Sequence, residues 1–378
     1  MKDDIVLDFL QLINTDGIGP VSFYKYLKKF GSVAEVLKAL ASSKNLFPRI
    51  EAENELKAAL KQNVRIITFE DEAYPFALKQ LNDAPPVLYL KGRADLLNYP
   101  ASLAVVGSRN ASVAGRKIAS RIAYDLTNAD VLIVSGMARG IDAAAHKGAL
   151  YAKDECGPTL AVLGTGIDVC YPEENADLYE KIAEQGLLVS EFKMGEKANI
   201  SNFPRRNRIV SALSMGTLVV EASLNSGSLI TARLALEQGK DIFAVPGSPF
   251  ENKSAGSNKL IKEGALLTES ADDILQTLAL TQNRTLKICP NWSLKPKPLD
   301  FEKKEVIMQQ TNLSNPEDDI VLKTIGSTGI EQDDLIRHLN MRASDMLIKI
   351  TELELDGLVA RKNGSFLVLT KQGLEKLK

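Results

Sequence analysis

The sequence predicts an α/β protein whose largest part is a doubly wound, mostly parallel sheet, and three observations carry that prediction. Apolar runs recur through the middle of the chain: LAVVG (103–107), VLIVSG (131–136), TLAVLG (159–164), LLVSE (187–191), TLVVEA (217–222), DIFAVPG (241–247) and a shorter ALLT (265–268). Helical stretches separate most of them, among them SRIAYDLTN, AAAHKGAL, EENADLYEKIAEQ and SLITARLALEQG. The runs are continuously apolar instead of alternating, as strands covered on both faces require. Repeated β-then-α units of this kind give a Rossmann-like sheet, whose ligands bind beyond the carboxyl ends of the strands.

The remaining segments follow in order. Residues 1–63 read as short helices: LDFLQLI, a break at Asp16-Gly17-Ile18-Gly19-Pro20, VSFYKYLKKFGS and a third helix from Val33. The break is a tight helical hairpin whose amides can serve a phosphate, although a plain αα corner accounts for it equally well. Residues 64–280 hold the sheet domain. Residues 281–315 contain CPNWSLKPKPLDFEKK, rich in proline and charge without a sustained period, and read as a linker. Residues 316–378 read as the helices DIVLKTIG, IEQDDLIRHL and SDMLIKITELELDG, then a hairpin LVARKNGSFLVLT turning at Asn363-Gly364. That order is a winged helix. Its nine basic and eleven acidic residues do not favour DNA, and a protein-contact role fits it at least as well.

Composition narrows the class. With 45% hydrophobic and 25% charged residues the chain is globular, and no apolar run reaches the ~18 residues of a membrane span. The start MKDDIVLDFLQLI carries three aspartates and lacks the basic opening of a secretory signal, so a cytoplasmic protein is expected. Cys156, Cys170 and Cys289 form no CxxC, and His146 and His338 are the two histidines, so neither a metal nor another cofactor is expected. The net charge of −2 leaves any nucleic-acid binding to a local basic patch.

Four strand ends supply candidates. Gly107-Ser108-Arg109-Asn110 offers a hydroxyl, a guanidinium and an amide before a helix, either as a phosphate clasp or as an ordinary turn. Ser135 to Asp142 holds Gly136, Arg139 and Gly140, where glycines permit close backbone approach. Asp142 and His146 stand four apart there, a spacing that is usually structural. Lys193 to Val210 holds five basic residues against one acidic, with Pro204 suited to the first turn of a helix. Arg205, Arg206 and Arg208 would then oppose the helix dipole, a conflict that a bound polyanion removes. Phe203 beside them is a stacking surface for an unpaired base, worth ~1–3 kcal/mol, or else a core residue. Ser226, Gly227 and Ser228 open a further helix and can cap it, hold a phosphate, or both.

Catalytic motifs do not stand out. There is no GxxxxGK[ST], Gly164-Thr165-Gly166 is followed by Val169 where a third glycine would complete a dinucleotide motif, and no GxSxG elbow occurs. A binding protein, not an enzyme, is expected, with no catalytic residues.

The motifs GSRNAS (107–112), SGMARGIDAAAHKGAL (135–150), AVLGTGIDVCYPEEN (161–175), FPRRNRIVSALS (203–214), EASLNSGSLITA (221–232) and AVPGSPFENKSAGSNKLIKEGA (244–265) resemble, in order, the DNA-processing protein A family, also called DprA or Smf. The GIGP hairpin and YPFALKQLNDAPPVLYLKG (74–92) agree as well. The resemblance implies a sterile-alpha-motif-like or helix-hairpin-helix N-terminal domain, a Rossmann-like core and a C-terminal winged helix. It further implies binding and protection of incoming single-stranded DNA in natural transformation, or competence, loading of the RecA recombinase, and a homodimer formed through the core near Lys259 to Leu266. Carried over, the DNA pocket comprises Ser108, Arg109, Gly136, Arg139, Gly140, Phe203, Arg206, Asn207 and Ser228. The family pattern has a lysine shortly before the Phe-Pro; here Ile200 and Asn202 stand there and Lys197 is the nearest base. An alternative is a nucleotide-binding hydrolase of nucleoside phosphates. Related Rossmann-like phosphoribohydrolases use PGGxGTxxE, and this chain has SGSLITA in that place, after Glu221.

Overall fold

A computed structural model of the chain describes residues 2–155, 157–282, 316–326, 329–339, 346, 349–350, 353–354, 358–362, 366–370 and 374. Residues 1–296 form one compact unit and residues 297–378 a second.

The first unit opens with helices α1 (Lys2–Ile13), α2 (Pro20–Phe30), α3 (Val33–Leu40) and α4 (Arg49–Lys61). Gly17, at φ 74°, makes the reversal between α1 and α2, and Pro20 occupies the first position of α2, where no amide is needed. Ser32 caps α3 by accepting the Glu35 N–H. The fourth helix escapes sequence reading because its polar sequence buries only Ala52 and Ala59, which leaves a faint apolar stripe.

Next come β1 (Val64–Thr68), the short α5 (Phe76–Lys79), β2 (Val87–Gly92), β3 (Ser102–Val106), α6 (Val113–Asn128), β4 (Leu132–Ser135), α7 (Ile141–Leu150), α8 (Ala152–Glu155) and β5 (Thr159–Val162). They are followed by α9 (Ala176–Gln185), β6 (Leu187–Ser190), α10 (Asn202–Ala212), β7 (Gly216–Val219), α11 (Gly227–Glu237), β8 (Asp241–Ala244), α12 (Ala255–Lys262), β9 (Leu266–Leu267) and α13 (Ala271–Gln282). The strands form one nine-stranded sheet in the order β1-β2-β6-β5-β4-β3-β7-β8-β9. From β6 to β9 all neighbours are parallel, while β2 joins β6, and β1 joins β2, antiparallel. The strand order reverses between β3 and β7, and that switch point opens a crevice at their carboxyl ends.

Alternate residues of the strands face opposite layers, which explains the continuously apolar runs. Val106, Val134, Val162 and Val189 pack with Ile209, Val210 and Ala232 on one face. Leu103, Val105 and Ile133 pack with Ile122, Leu126, Ala145 and Ile274 on the other. Gly148 lets α7 lie against α6, since a Cβ there would stand 2.1 Å from the Ser120 carbonyl oxygen. The N-terminal helices share a core with the sheet domain: Phe9, Leu10, Phe23 and Val36 join Leu163, Ile167, Tyr179 and Leu188.

The second unit has α14 (Pro316–Ile325), β10 (Ile330–Glu331), α15 (Gln332–Leu339), β11 (Val359–Lys362) and β12 (Phe366–Leu369), with an antiparallel sheet in the order β10-β12-β11. Its core includes Leu322, Ile325, Leu335, Ile350, Leu353 and Leu367, a winged-helix arrangement. Residues 283–315 of the expected linker, the Asn363-Gly364 turn, much of the third helix, Cys156 and Cys289 lie outside the described residues. Among the described residues no helix is long and apolar enough to cross a membrane.

Two buried polar groups fix the elements around the crevice. Arg208 of α10 points inward with a side chain 7% exposed, its Nε on Asp83 at 2.8 Å and its Nη2 on Glu191 at 2.7 Å, where the Glu191 side chain is 3% exposed. The dipole conflict read from the sequence as a sign of a polyanion is therefore met, for this arginine, by carboxylates of the protein itself. His146 of α7 is buried; Thr159 Oγ1 donates to the Ile133 carbonyl, so it accepts from His146 Nδ1–H at 2.8 Å and the imidazole is neutral. Burial, with a smaller contribution from the charge of Arg206, drives His146 down from 6.5 to about 3.

Removing one partner of a buried ion pair strands the other. Arg208→Ala is expected to destabilise the chain by about 3 kcal/mol or more, read as a lower urea midpoint; a loss below about 1 kcal/mol would show that the pair does not hold α10. Between pH 6.5 and about 3 the unfolded chain binds a proton that the native His146 refuses, so this group lowers stability as pH falls below 6.5. His146→Asn keeps a donor toward Thr159 and should flatten the acid limb of stability against pH by about 1.4 kcal/mol per pH unit. An unchanged slope in urea titrations across that range contradicts the assignment.

Candidate nucleic-acid interface

The carboxyl ends of β3, β4 and β7 open on a cleft of 470 Å³. Its walls come from the β3–α6 loop (Ser108, Arg109, Asn110), the start of α10 (Phe203, Arg206, Asn207) and the β7–α11 loop (Ser226, Gly227, Ser228), with Asp142, Tyr171 and Ile200 completing it. A recess of 270 Å³ adjoins it across Arg109, Tyr171, Phe203 and Arg206 and extends to Gly136, Arg139, Gly164 and Thr165. Segments separated by more than a hundred residues in the chain thus meet at the topological switch.

Phe203 stands at the junction of the two spaces. The Arg109 guanidinium lies 5.1 Å from its ring centroid, and the Tyr171 ring 5.5 Å away at 31°. Gly164 makes the placement possible, because a Cβ there would stand 2.7 Å from the Phe203 ring. Gly166 similarly admits the chain at Lys193, whose carbonyl oxygen lies 2.5 Å from the position of a Cβ. The Gly-Thr-Gly run therefore serves packing.

Arg206 forms the floor of the cleft. It is 4% exposed, and Nη1 approaches Asp142 at 4.0 Å. Gly136 is where the guanidinium rests: a Cβ would fall 1.1 Å from Nη1. The glycine thus makes room for an arginine, where the sequence suggested room for a ligand. Burial lowers Arg206 to about 10, with Asp142 opposing and Arg109 adding to the shift, so it stays charged at neutral pH. Its Nε has no partner among the described residues. Asp142 is raised by burial, against the pull of Arg206, and accepts the amides of Gly136 and Ala138 at 3.2 and 3.4 Å. Asp142 and His146 accordingly serve separate partners, and among the described residues no group of three metal-ligating side chains occurs.

The other predicted residues divide. Gly140, at φ 74°, sets the turn that packs on the Ser108 carbonyl, 2.3 Å from the position of a Cβ, and the Ile141 amide donates to the same oxygen at 3.2 Å. Arg139 is exposed at the rim and pairs with Glu174 at 3.0 Å. Ser226 caps α11, accepting the Ser228 N–H at 3.4 Å, with the two hydroxyl oxygens 2.7 Å apart. Lys197, Arg205 and Arg208 line neither space. Arg205 lies over the Phe192 ring at 5.1 Å with Nη2 3.7 Å from Glu191, so Arg205 and Arg208, three residues apart, turn toward the same carboxylate while Arg206 turns to the cleft. Tyr171, not singled out from the sequence, and Ile200, named there only as standing where the family pattern has a lysine, are exposed apolar surfaces of the cleft; the Tyr-Pro dipeptide after β5 was the available signal for the first. Glu221 accepts the amide and hydroxyl of Ser112 and so anchors the start of α6.

Comparison with known proteins places this geometry. Residues 65–279 match a family model described as DNA recombination-mediator protein A, residues 308–365 the DprA winged helix domain, and residues 3–58 the DprA-like N-terminal HHH domain. The DNA processing protein DprA of Streptococcus pneumoniae is 46% identical over 205 residues, 54% of this chain and 71% of that one. Protein Smf of Escherichia coli is 36% identical over 326 residues, 86% of this chain and 83% of its own. The crystal structure of the S. pneumoniae protein superposes with a TM-score of 0.62 at 33% identity, over 75% of this chain and 99% of that one. A Helicobacter pylori DNA processing protein A, solved for its single-stranded DNA binding mode, gives 0.52 at 31%, over 57% and 97%. With more than half of its length matched by one family model and its sheet, flanking helices and winged helix accounted for, the chain belongs to the DNA recombination-mediator protein A family.

Proposed function

We propose that this chain binds single-stranded DNA in the cleft at the β3/β7 switch and acts as a recombination mediator. In this reading it protects incoming DNA in natural transformation, passes it to the RecA recombinase in the cytoplasm and works as a homodimer through the sheet domain. The observation that carries the reading is the stack of Arg109, Phe203 and Tyr171 over a buried, charged Arg206. An aromatic face gains stacking energy only from a base that is not already stacked and paired, which favours single strands. Cations beside it attract phosphate, and the hydroxyls and amides at the start of α11 add donors of the right kind. The H. pylori relative, studied for its single-stranded DNA binding mode, supports the same substrate.

Roles then follow position. Phe203 stacks a base; Ser108, Arg109, Arg206, Asn207, Ser226, Gly227 and Ser228 hold the backbone; Arg139 and Lys197 add charge at the edge. Gly136 and Gly140 act indirectly, by admitting Arg206 and by setting a turn. Arg205 and Arg208 orient α10. Residues 1–63, 64–280 and 316–378 are proposed as helical, DNA-binding and partner-contact domains. No step in this reading breaks a covalent bond.

Fluorescence anisotropy of a labelled oligonucleotide across a salt series tests it. Single strands should bind more tightly than duplex, with log K falling by about 0.7 per phosphate contacted for each decade of salt. Phe203→Ala and Arg206→Ala should each weaken binding by about 1 kcal/mol or more, roughly fivefold. Gly136→Ala, which evicts the Arg206 guanidinium, should match Arg206→Ala. Full affinity in both the Phe203 and Arg206 variants sinks the proposal, and release of free base from nucleoside monophosphates would put the hydrolase reading in its place.

A further inference from the structure

The chain that leads into α10 leaves the sheet at Glu191 and crosses Lys193–Ser201, exposing Ile200 at 87% on the wall of the cleft. Its base is tied down in three places, the first a backbone hydrogen bond from the Gly166 amide to the Glu196 carbonyl at 2.9 Å. The Gly195 amide donates to Asp168 Oδ1 at 2.8 Å, and the Met194 amide donates to Glu55 Oε1 at 3.1 Å. Glu55 belongs to α4, in the N-terminal helical segment, and no reading of the sequence singled it out. The same Oε1 accepts the buried Tyr89 hydroxyl of β2 at 2.6 Å, and Oε2 accepts Asn14 Nδ2 at 2.9 Å, from the end of α1. One carboxylate therefore joins α1, α4, the antiparallel edge of the sheet and the first residues of the cleft wall. Burial raises the Glu55 carboxyl, and the Tyr89, Met194 and Asn14 hydrogen bonds oppose that shift, so the same three bonds that satisfy the buried group hold an otherwise exposed loop in one arrangement.

From this junction we infer that Glu55 is a positioning residue for single-strand binding: through Met194 it fixes the Lys193–Ser201 wall that delivers Ile200 and Phe203 to the cleft. The inference rests on the cleft being the single-strand site. It assigns the N-terminal helices a part in DNA binding that requires no contact with DNA. Affinity falls in proportion to the fraction of molecules whose wall is in place, so a wall held in about one molecule in five costs roughly fivefold.

The test uses the full chain, a labelled oligothymidylate, and trypsin with mass spectrometry to follow cleavage after Lys197. Glu55→Ala should weaken binding about fivefold and speed cleavage after Lys197 by more than any change in its urea midpoint explains. Glu55→Gln should restore both, since its amide oxygen can accept from Tyr89 and Met194 while Asn14 turns its own oxygen toward the new amide. If Glu55→Ala loses its fold by circular dichroism, Tyr89→Phe carries the test with the same signs at about twofold. Wild-type affinity in Glu55→Ala, alongside weakened Phe203→Ala, overturns the positioning role and leaves the cleft standing. Loss in Glu55→Gln equal to that in Glu55→Ala also overturns it. Absence of single-strand binding by the wild type removes the cleft reading itself, and the inference with it.

Discussion

Arg206 sits almost wholly buried where the strand order reverses, and a guanidinium in that position dictates its surroundings. It needs a counter-charge, which Asp142 supplies at the start of α7. It needs space against a strand end, which only glycine at position 136 leaves. It also disfavours a second positive charge within the layer, and His146, one turn further along α7, is held neutral by burial and by that arginine. Asp142 and His146, four apart on α7, thus meet this cation differently: the first pairs with it and the second, hydrogen-bonded to Thr159, stays neutral near it. A buried guanidinium at the floor of a cleft is poised for an anion, because most of its desolvation has already been met by folding.

Helix α10 carries two opposed duties on one short stretch. Phe203, Arg206 and Asn207 face the cleft, while Arg208 turns to Asp83 and Glu191 and Arg205 lies over Phe192. At 100° per residue no two neighbouring arginines can share a face. Charge clustering in sequence therefore overstates charge clustering in space. The buried pair on the far side gives the helix a fixed rotation, and that rotation decides which side chains reach a ligand.

Much of this was legible beforehand, for reasons that particular elements make plain. The parallel strands announce themselves because both faces are buried, so Val131–Val134 or Leu218–Val220 read as unbroken apolar runs. The crevice followed from topology, and Phe203, Arg109, Arg206 and Ser226–Ser228 all line it. Helix α4 was missed because its buried face is two alanines, and β1 and β2 because their antiparallel attachment breaks the βα rhythm. The parting of Arg206 from Arg205 and Arg208 depends on carboxylates at 142, 83 and 191, which no local pattern links to them.

The core shared by the N-terminal helices and the sheet domain also constrains how the chain is made. Helices α1–α4 leave the ribosome before the parallel strands, yet the partners of Phe9, Phe23 and Val36 include Leu163, Ile167 and Leu188. At about 5–20 residues per second, the roughly 130–180 positions between them take about 6–36 s to emerge. For that interval the helices have one another and Val64, Val87 and Tyr89 to pack on, and the core they share with β5, β6 and α9 closes only after those later elements are made.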